Sequence, residues 1–231
     1  MTESPQPAIQ ITNLQFGWHS AQPLLTIPEF SINRGEHLFL YGPSGSGKTT
    51  LLNLLAGVIC PQQGSLKVLG TEFTKLSAHK RDRFRALHIG VIFQQFNLIP
   101  YLSVLDNVLL TGHFARIKDR NALQSRAVEL LLSLGLKEEL HHRKATSLSV
   151  GQQQRVAVAR ALVCQPELLI ADEPTSALDS DNRDGFLDLL FNAADQCNST
   201  VVFVSHDRAL QERFTRTVDI RSLNGGQSDA A

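Results

Sequence analysis

The chain has 231 residues, 42% of them hydrophobic, and its 22 basic and 22 acidic side chains give a formal net charge of zero. This composition suits a globular core, and the balanced charge excludes the basic excess typical of nucleic-acid binders. The N-terminus MTESPQPAIQ has no signal-peptide core, and no apolar run approaches the ~18 residues of a membrane span. We therefore expect a cytosolic protein that reaches a membrane only through a partner.

The predicted elements alternate between strands and helices. In chain order, strands are expected at 8–16, 24–32, 36–41, 66–69, 89–93, 168–172, 200–205 and 217–223. Helices are expected at 48–57, from Ser77 through Arg85, across 123–134, from 151 to 163, at 181–197 and at 207–214. The strands LLIAD and TVVFVS are apolar almost throughout, which is typical of a parallel sheet covered on both faces. The pattern predicts an α/β core, and the strand-poor stretch 97–149 predicts an inserted helical lobe.

The three cysteines, Cys60, Cys164 and Cys197, form no C-x-x-C pair. Zinc and redox motifs are therefore absent, and we expect buried thiols in a reducing compartment. The eight histidines show no H-x-x-x-H spacing, so a histidine metal site is not predicted.

A glycine-rich segment, GPSGSGKT at 42–49, matches the phosphate-binding pattern G-x-x-x-x-G-K-[ST] between a predicted strand and a predicted helix. Its glycines let backbone N–H groups face phosphates, Lys48 reaches the outer phosphates and the Thr49 hydroxyl binds Mg²⁺. The alternative is a glycine-rich turn with an exposed lysine. Alone, the pattern predicts only a P-loop nucleoside triphosphatase, and the residues expected to bind its nucleotide are Gly42, Pro43, Ser44, Gly45, Ser46, Gly47, Lys48, Thr49 and Thr50.

Two adjacent carboxylates, Asp172 and Glu173, end the apolar strand LLIAD. Side chains at the C-terminal end of such a strand face the ligand crevice of an open α/β sheet. We expect Asp172 to bind Mg²⁺, directly or through water, and Glu173 to polarise an attacking water. The alternative is an ordinary strand end that enters a solvated turn.

The segment LSVGQQQRVAVARAL at 148–162 predicts a helix that begins after Ser149. The spacing of Ser149 and Gln152 fits a capping box. No acidic side chain lies near this helix start in the sequence, so its partial positive charge predicts an anion-binding site around Gly151.

Taken in order, these motifs resemble those of the ATP-binding subunits of ABC transporters over nearly the whole chain. The series comprises the phosphate loop, Gln94 after strand 89–93, LSVGQ at 148–152, Asp172 with Glu173, SALD at 176–179, and His206 after strand 200–205. The resemblance implies an α/β P-loop ATPase with a mixed, largely parallel sheet, N-terminal antiparallel strands and an inserted α-helical lobe. It implies a single domain over 1–231, with a RecA-like core at about 1–96 and 163–223, a lobe at about 97–162 and a tail at 224–231.

The resemblance also assigns roles by position. Gln94 contacts Mg²⁺ or the attacking water, His206 contacts the γ-phosphate, and Trp18 stacks on adenine, with ordinary packing of Trp18 as the alternative. Asp179 lies in the segment that meets a second copy. The catalytic set is then Glu173, His206 and Gln94, and the metal set is Thr49, Gln94 and Asp172.

In that family the signature helix of one subunit binds the ATP held by the phosphate loop of another. Ser149, Val150, Gly151 and Gln152 would thus contact the ATP of a partner copy. Val150 stands where the family usually has glycine, and a β-branched residue disfavours positive φ if the site requires it. This substitution puts the turnover rate in doubt more than the role.

The segment IGVIFQQFNLIPYLSVLDNV resembles the subgroup of lipoprotein-release, macrolide-export and cell-division ATPases. The resemblance implies two copies with ATP and Mg²⁺ at the cytoplasmic face of the inner membrane. It also implies permease subunits contacted between Gln94 and Leu105, and periplasmic or extracytoplasmic components. Side chains that would line a groove for a permease helix, or else belong to the core of the lobe, are Phe96, Leu98, Ile99, Tyr101 and Leu102.

Three other functions stay open at this point. One is an ABC importer ATPase, and another is a soluble ABC ATPase acting on nucleic acid or ribosomes. The second lacks support, because the chain shows no basic stripe, no long coiled-coil insertion and no second ATP unit. The third is a module that binds ATP without turnover, and only Val150 favours it. The cargo is not encoded in this chain.

Overall fold

The computed structural model of the protein describes residues 6–18, 23–176, 178 and 180–224. The chain divides into two compact units. The first comprises residues 1–82 and 200–231, and the second comprises residues 83–199.

The first unit contains an antiparallel sheet and three parallel strands. The antiparallel sheet has the order β2 (Leu25–Ile32), β1 (Ile9–Phe16), β4 (Gln63–Val68), β5 (Thr71–Glu72). Strand β3 (His37–Tyr41) lies between its parallel neighbours β8 (Thr200–Val204) and β9 (Arg216–Asp219). Every residue of β8 is buried, as an interior parallel strand requires.

Helix α1 (Lys48–Leu55) follows β3 and buries Leu51, Leu52, Leu54 and Leu55. Helix α2 (Ala78–His88) has no buried residue and contains the sequence boundary between the two units.

The second unit joins a parallel strand pair to a group of helices. Strands β6 (Ile89–Ile92) and β7 (Leu168–Asp172) are paired, and β7 is buried up to its last residue. The helices are α3 (Val104–Phe114), α4 (Arg120–Ser133), α5 (Glu138–His141), α6 (Val150–Leu162) and α7 (Ser180–Gln196). Helix α6 is the centre of this unit, because it packs on α3, α4 and β6. The expectation of an α/β fold with helices in the middle of the chain is confirmed.

Two expectations near the C-terminus are wrong. The strand expected at 217–223 ends at Asp219, where the side chain accepts a hydrogen bond from the Arg221 N–H at 2.9 Å and starts α8 (Ile220–Leu223). The helix expected at 207–214 is a 3-10 helix over Arg208–Arg213. In both places a local aspartate hydrogen bond, rather than apolar periodicity, decides the backbone.

The cysteines are half-buried rather than fully buried, and no disulfide joins them. Within the described ranges, no helix is both long enough and apolar enough to cross a membrane.

Candidate functional site

The glycine-rich loop of the first unit connects β3 to α1. Gly47 has φ of +93°, and a Cβ placed on it would lie 2.8 Å from Leu25 Cδ2, so only glycine fits. The Ser46 N–H donates to the Pro43 carbonyl at 3.3 Å and closes the turn. The first turn of α1 carries no acidic residue. This helix start therefore presents free N–H groups and a partial positive charge.

Three polar side chains begin α1. Lys48 and Thr49 reach the surface, whereas Thr50 is buried. The Lys48 ammonium donates to the carbonyl oxygens of Gly42 at 2.7 Å and Pro43 at 3.0 Å, so it lies over the start of the loop. Thr49 is exposed, whereas Thr50 is buried. Thr49 thus offers an accessible hydroxyl, and Thr50 contributes to the core with its side chain.

His206 leaves the parallel strands at the same edge as the glycine-rich loop. Leu40 of β3 pairs with Val204 of β8, so Gly42 and His206 follow neighbouring strand ends. His206 is exposed. The first unit thus brings the predicted lysine, hydroxyl and imidazole to one edge.

Trp18 lies just beyond β1. Its ring packs edge-on against Phe16 with centroids 5.2 Å apart, yet 60% of Trp18 remains exposed. Phe16 is buried and is the core residue of the pair. A large exposed aromatic face of this kind can receive a flat ring.

The second unit shows the same arrangement at its own strand pair. Ile92 of β6 pairs with Ala171 of β7. Gln94, Asp172 and Glu173 therefore lie at the C-terminal ends of these two neighbouring strands, on one edge of the sheet. Gln94 is exposed, and the two carboxylates are partly exposed. Glu173 has φ of +48°, which is uncommon for a residue other than glycine and directs the chain sharply out of the strand.

The start of α6 has the predicted cap. The Gln152 N–H donates to Ser149 Oγ at 3.3 Å, and the Ser149 N–H donates to Gln152 Oε1 at 3.0 Å. No acidic residue lies in the first turn. A Cβ on Gly151 would meet no atom within 4 Å, and its φ is not positive. The chain's own packing therefore does not require glycine at this position.

Val150 is the first residue of α6 and is 50% exposed. Its backbone is helical, a conformation that valine adopts readily. The site requires no positive φ here, so the conformational objection to a β-branched residue does not apply.

Two residues that the sequence did not suggest connect α6 to the neighbouring loops. The buried Gln154 side chain donates to the Pro174 carbonyl at 2.8 Å, directly after Glu173. The Arg160 guanidinium donates to the carbonyls of Asn97 at 2.6 Å and Phe96 at 2.5 Å, in the loop that follows Gln94. Burial lowers the pKa of Arg160 below its usual value. One signal was available for Gln154, because it lies on the apolar face of a helix and a buried amide needs a partner.

The described residues hold no group of three or more histidine, cysteine, aspartate or glutamate side chains that could bind a metal. This is compatible with Mg²⁺, which keeps several waters and takes phosphate oxygens, with one or two protein ligands. Asp172 and the accessible Thr49 hydroxyl are oxygen donors of the required kind. The predicted dimer contact Asp179 lies outside the described residues.

These positions match a known family. The sequence profile described as "ABC transporter" covers residues 25–176, more than half of the chain. The chain belongs to the ABC transporter family of ATP-binding proteins. Its α/β fold and its activity as an ATPase subunit are those of this family.

Relatives and solved structures agree with this assignment. The chain is 39% identical to the lipoprotein-releasing system ATP-binding protein LolD of Bacteroides fragilis, over 82% of this chain and 87% of that one. It is 41% identical to the macrolide export ATP-binding/permease protein MacB 1 of Aeromonas hydrophila, over 84% of this chain but 29% of that protein. A dimeric structure of the ATP-binding cassette MJ0796 with ADP and Pi has a TM-score of 0.80 and 34% identity, covering 91% of this chain and 93% of that one. The subunit thus resembles the ATP-binding proteins of the LolD and MacB type.

Proposed function

We propose that two copies of this chain bind two Mg·ATP, close around them, hydrolyse them and reopen, and that this cycle moves membrane permease subunits. The observation that carries the proposal is the start of α6, which is capped, free of acidic side chains and open at Gly151. Such a helix N-terminus binds anions. The likeness to dimeric cassettes supports a partner copy as the source of the phosphate.

The predicted site residues at the two sheet edges then have roles that suit their positions, whereas Thr50 is buried and belongs to the core. Lys48 and the loop N–H groups hold the phosphates, and His206 donates to the terminal phosphate from the neighbouring strand end. Glu173 orients and polarises the attacking water, with Gln94 at the same sheet edge. Thr49 and Asp172 would hold a bound Mg²⁺, whose charge would offset that of the phosphates. Positioning and charge stabilisation suffice for phosphoryl transfer, so the chain needs no covalent nucleophile.

The transport role rests on the relatives. LolD belongs to a lipoprotein-releasing system and MacB 1 is an ATP-binding/permease protein, so we infer that this chain works with permease subunits at the cytoplasmic face of a membrane. Residues between Gln94 and Leu105 are the expected contact. Tyr101, 73% exposed, is available for it, whereas Phe96 is buried and belongs to the core of its unit.

The test is the substitution Glu173→Gln. The amide retains shape and ATP binding but cannot act as a base, so ATP hydrolysis should fall by about 100-fold or more. With ATP present, the variant should accumulate as a dimer in light scattering.

Glu167→Gln is the matched control. Glu167 directly precedes β7, at the opposite end from Glu173, and accepts a hydrogen bond from His88 Nδ1 at 3.0 Å. This variant should hydrolyse ATP at the parent rate. If Glu173→Gln also hydrolysed ATP at that rate, Glu173 would not be the base.

A further inference from the structure

A groove between the end of α3 and the start of α4 combines an apolar floor with a cationic rim. Its volume is about 610 Å³. Leu109, Ile117 and Leu123 contribute apolar surface, and Arg116, Lys118 and Arg120 contribute three positive charges. The lining contains no acidic side chain. None of the residues assigned above to ATP binding or hydrolysis lines this groove.

The three rim cations form no ion pair within the described part of the chain, and all three are exposed. The one carboxylate in this short segment, Asp119, accepts a hydrogen bond from the Ala122 N–H at 2.9 Å and caps α4. Because the whole chain is neutral, this cluster is a local excess of positive charge. It should attract an anionic surface at short range.

An exposed aromatic ring precedes the three cations closely in the sequence. Phe114, the last residue of α3, is 63% exposed, and its ring packs edge-on against the His113 ring with centroids 5.8 Å apart. Exposed aromatic rings beside lysine and arginine are typical of surfaces that meet a lipid headgroup region. A charged peptide would account for the cations but would gain little specificity here, since His113 and Gln124 are the polar side chains in the lining besides the cations.

We propose that this groove and Phe114 bind anionic phospholipid at the membrane surface, with Arg116, Lys118 and Arg120 facing the phosphates and Phe114 facing the acyl boundary. The contact would orient the ATPase on the bilayer independently of the permease. It does not rest on the proposed transport role, because lipid alone suffices to test it.

The experiment measures sedimentation of the full chain with vesicles. We expect binding to vesicles of phosphatidylglycerol with phosphatidylcholine, no binding to phosphatidylcholine alone, and release by salt. The triple variant Arg116→Gln, Lys118→Gln, Arg120→Gln should lower the partition coefficient by about 10-fold or more. Phe114→Ala should lower it by about 3-fold or more.

The control variant is Lys67→Gln, Lys75→Gln, Lys80→Gln, which removes the same charge from exposed positions of the first unit. It should bind as the parent chain does, and thermal unfolding should show both variants folded. Equal loss in both triple variants would reduce the effect to net charge and overturn the proposal. Unchanged vesicle binding by the groove variant would also overturn the proposal. This holds even if the groove variant loses binding to a protein partner or to inorganic phosphate.

Discussion

At the scale of single residues, Gly151 is a glycine that the proposed function requires and the fold does not. Its φ is not positive and a Cβ would meet open space, so the fold itself does not demand glycine. Glycine within a helix costs up to ~1 kcal/mol relative to alanine. The chain accepts that cost at the position where the proposal has backbone approaching a phosphate.

We therefore predict that Gly151→Ala leaves the free energy of unfolding unchanged or raises it by up to ~1 kcal/mol. ATP hydrolysis should nevertheless fall by about 10-fold or more, because the added methyl group hinders phosphate approach. Denaturant titration and phosphate release measure the two effects.

Gly185→Ala is the matched control, since Gly185 is an exposed glycine of α7 whose Cβ would also meet open space. It should gain a similar stability and keep full activity. Full ATPase activity in Gly151→Ala would contradict a close contact between Gly151 and phosphate.

We predict that deprotonation of the Cys164 thiol lowers the free energy of unfolding at alkaline pH. Burial raises the pKa of its thiol from 9.0 to about 11. The unfolded chain then loses this proton at lower pH than the folded chain, so the stabilisation is complete below pH 9 and is lost as the pH rises through about 11.

We expect Cys164→Ala to flatten the fall in unfolding free energy between pH 9 and pH 11, measured by denaturant titration, against the same titration of the parent chain. Native alkylation of Cys164 at pH 8 should be slow for the same reason, since the thiolate is the reactive form. An equally steep alkaline fall in the variant would show that other groups cause it.

At the scale of elements, α6 connects the regions that the sequence motifs mark separately. Its start carries the signature turn, Gln154 contacts the carbonyl after Glu173, and Arg160 contacts the loop after Gln94. Phe96 and Asn97, whose carbonyls accept from Arg160, both have positive φ, so this loop needs support. Movement of α6 would reach both loops.

Arg160→Gln should therefore lower kcat by about 5-fold or more while KM for ATP changes little, because the phosphate loop is untouched. Loss of two charge-assisted hydrogen bonds should also cost about 1–3 kcal/mol of unfolding free energy. Steady-state kinetics and denaturant titration provide both values.

Arg155→Gln is the control on the same helix. Arg155 is exposed and donates to the Leu134 carbonyl at 3.2 Å, away from the loop after Gln94. It should keep the parent kcat. A kcat equally low in both variants would mean that α6 is sensitive to any loss of charge.

The same elements show what the sequence could predict. Strands β7 and β8 and the cap of α6 follow from local patterns, namely apolar runs and a serine three residues before a glutamine. The end of β9 did not, because Val218, Ile220 and Leu223 continue an apolar pattern while Asp219 caps a helix. Local motifs also marked the site residues. Gln154 and Arg160 were missed because their partners are backbone carbonyls distant in sequence. The place of Gln154 on the apolar face of α6 indicates that its amide needs a partner but does not identify that partner.

At the scale of the whole molecule, the proposed ATP hydrolysis depends on a contact between two copies of the chain. The phosphate loop of one copy and the Ser149–Gly151 turn of another are proposed to hold the same ATP. The phosphate loop alone could be only a tight turn, and the Ser149–Gly151 turn alone could be only a helix cap. Binding of one ATP by both is what separates the proposed shared site from these simpler explanations.

The most direct measurement is cross-linking between two single-cysteine copies in the Glu173→Gln background, with Cys60, Cys164 and Cys197 replaced by serine. One copy carries Ser44→Cys, at an exposed loop position, and the other carries Ser149→Cys. A short bis-maleimide should join the mixed pair when ATP is present and not when it is absent. If ATP produced the dimer in light scattering but no cross-link between these copies, the shared ATP site would be contradicted.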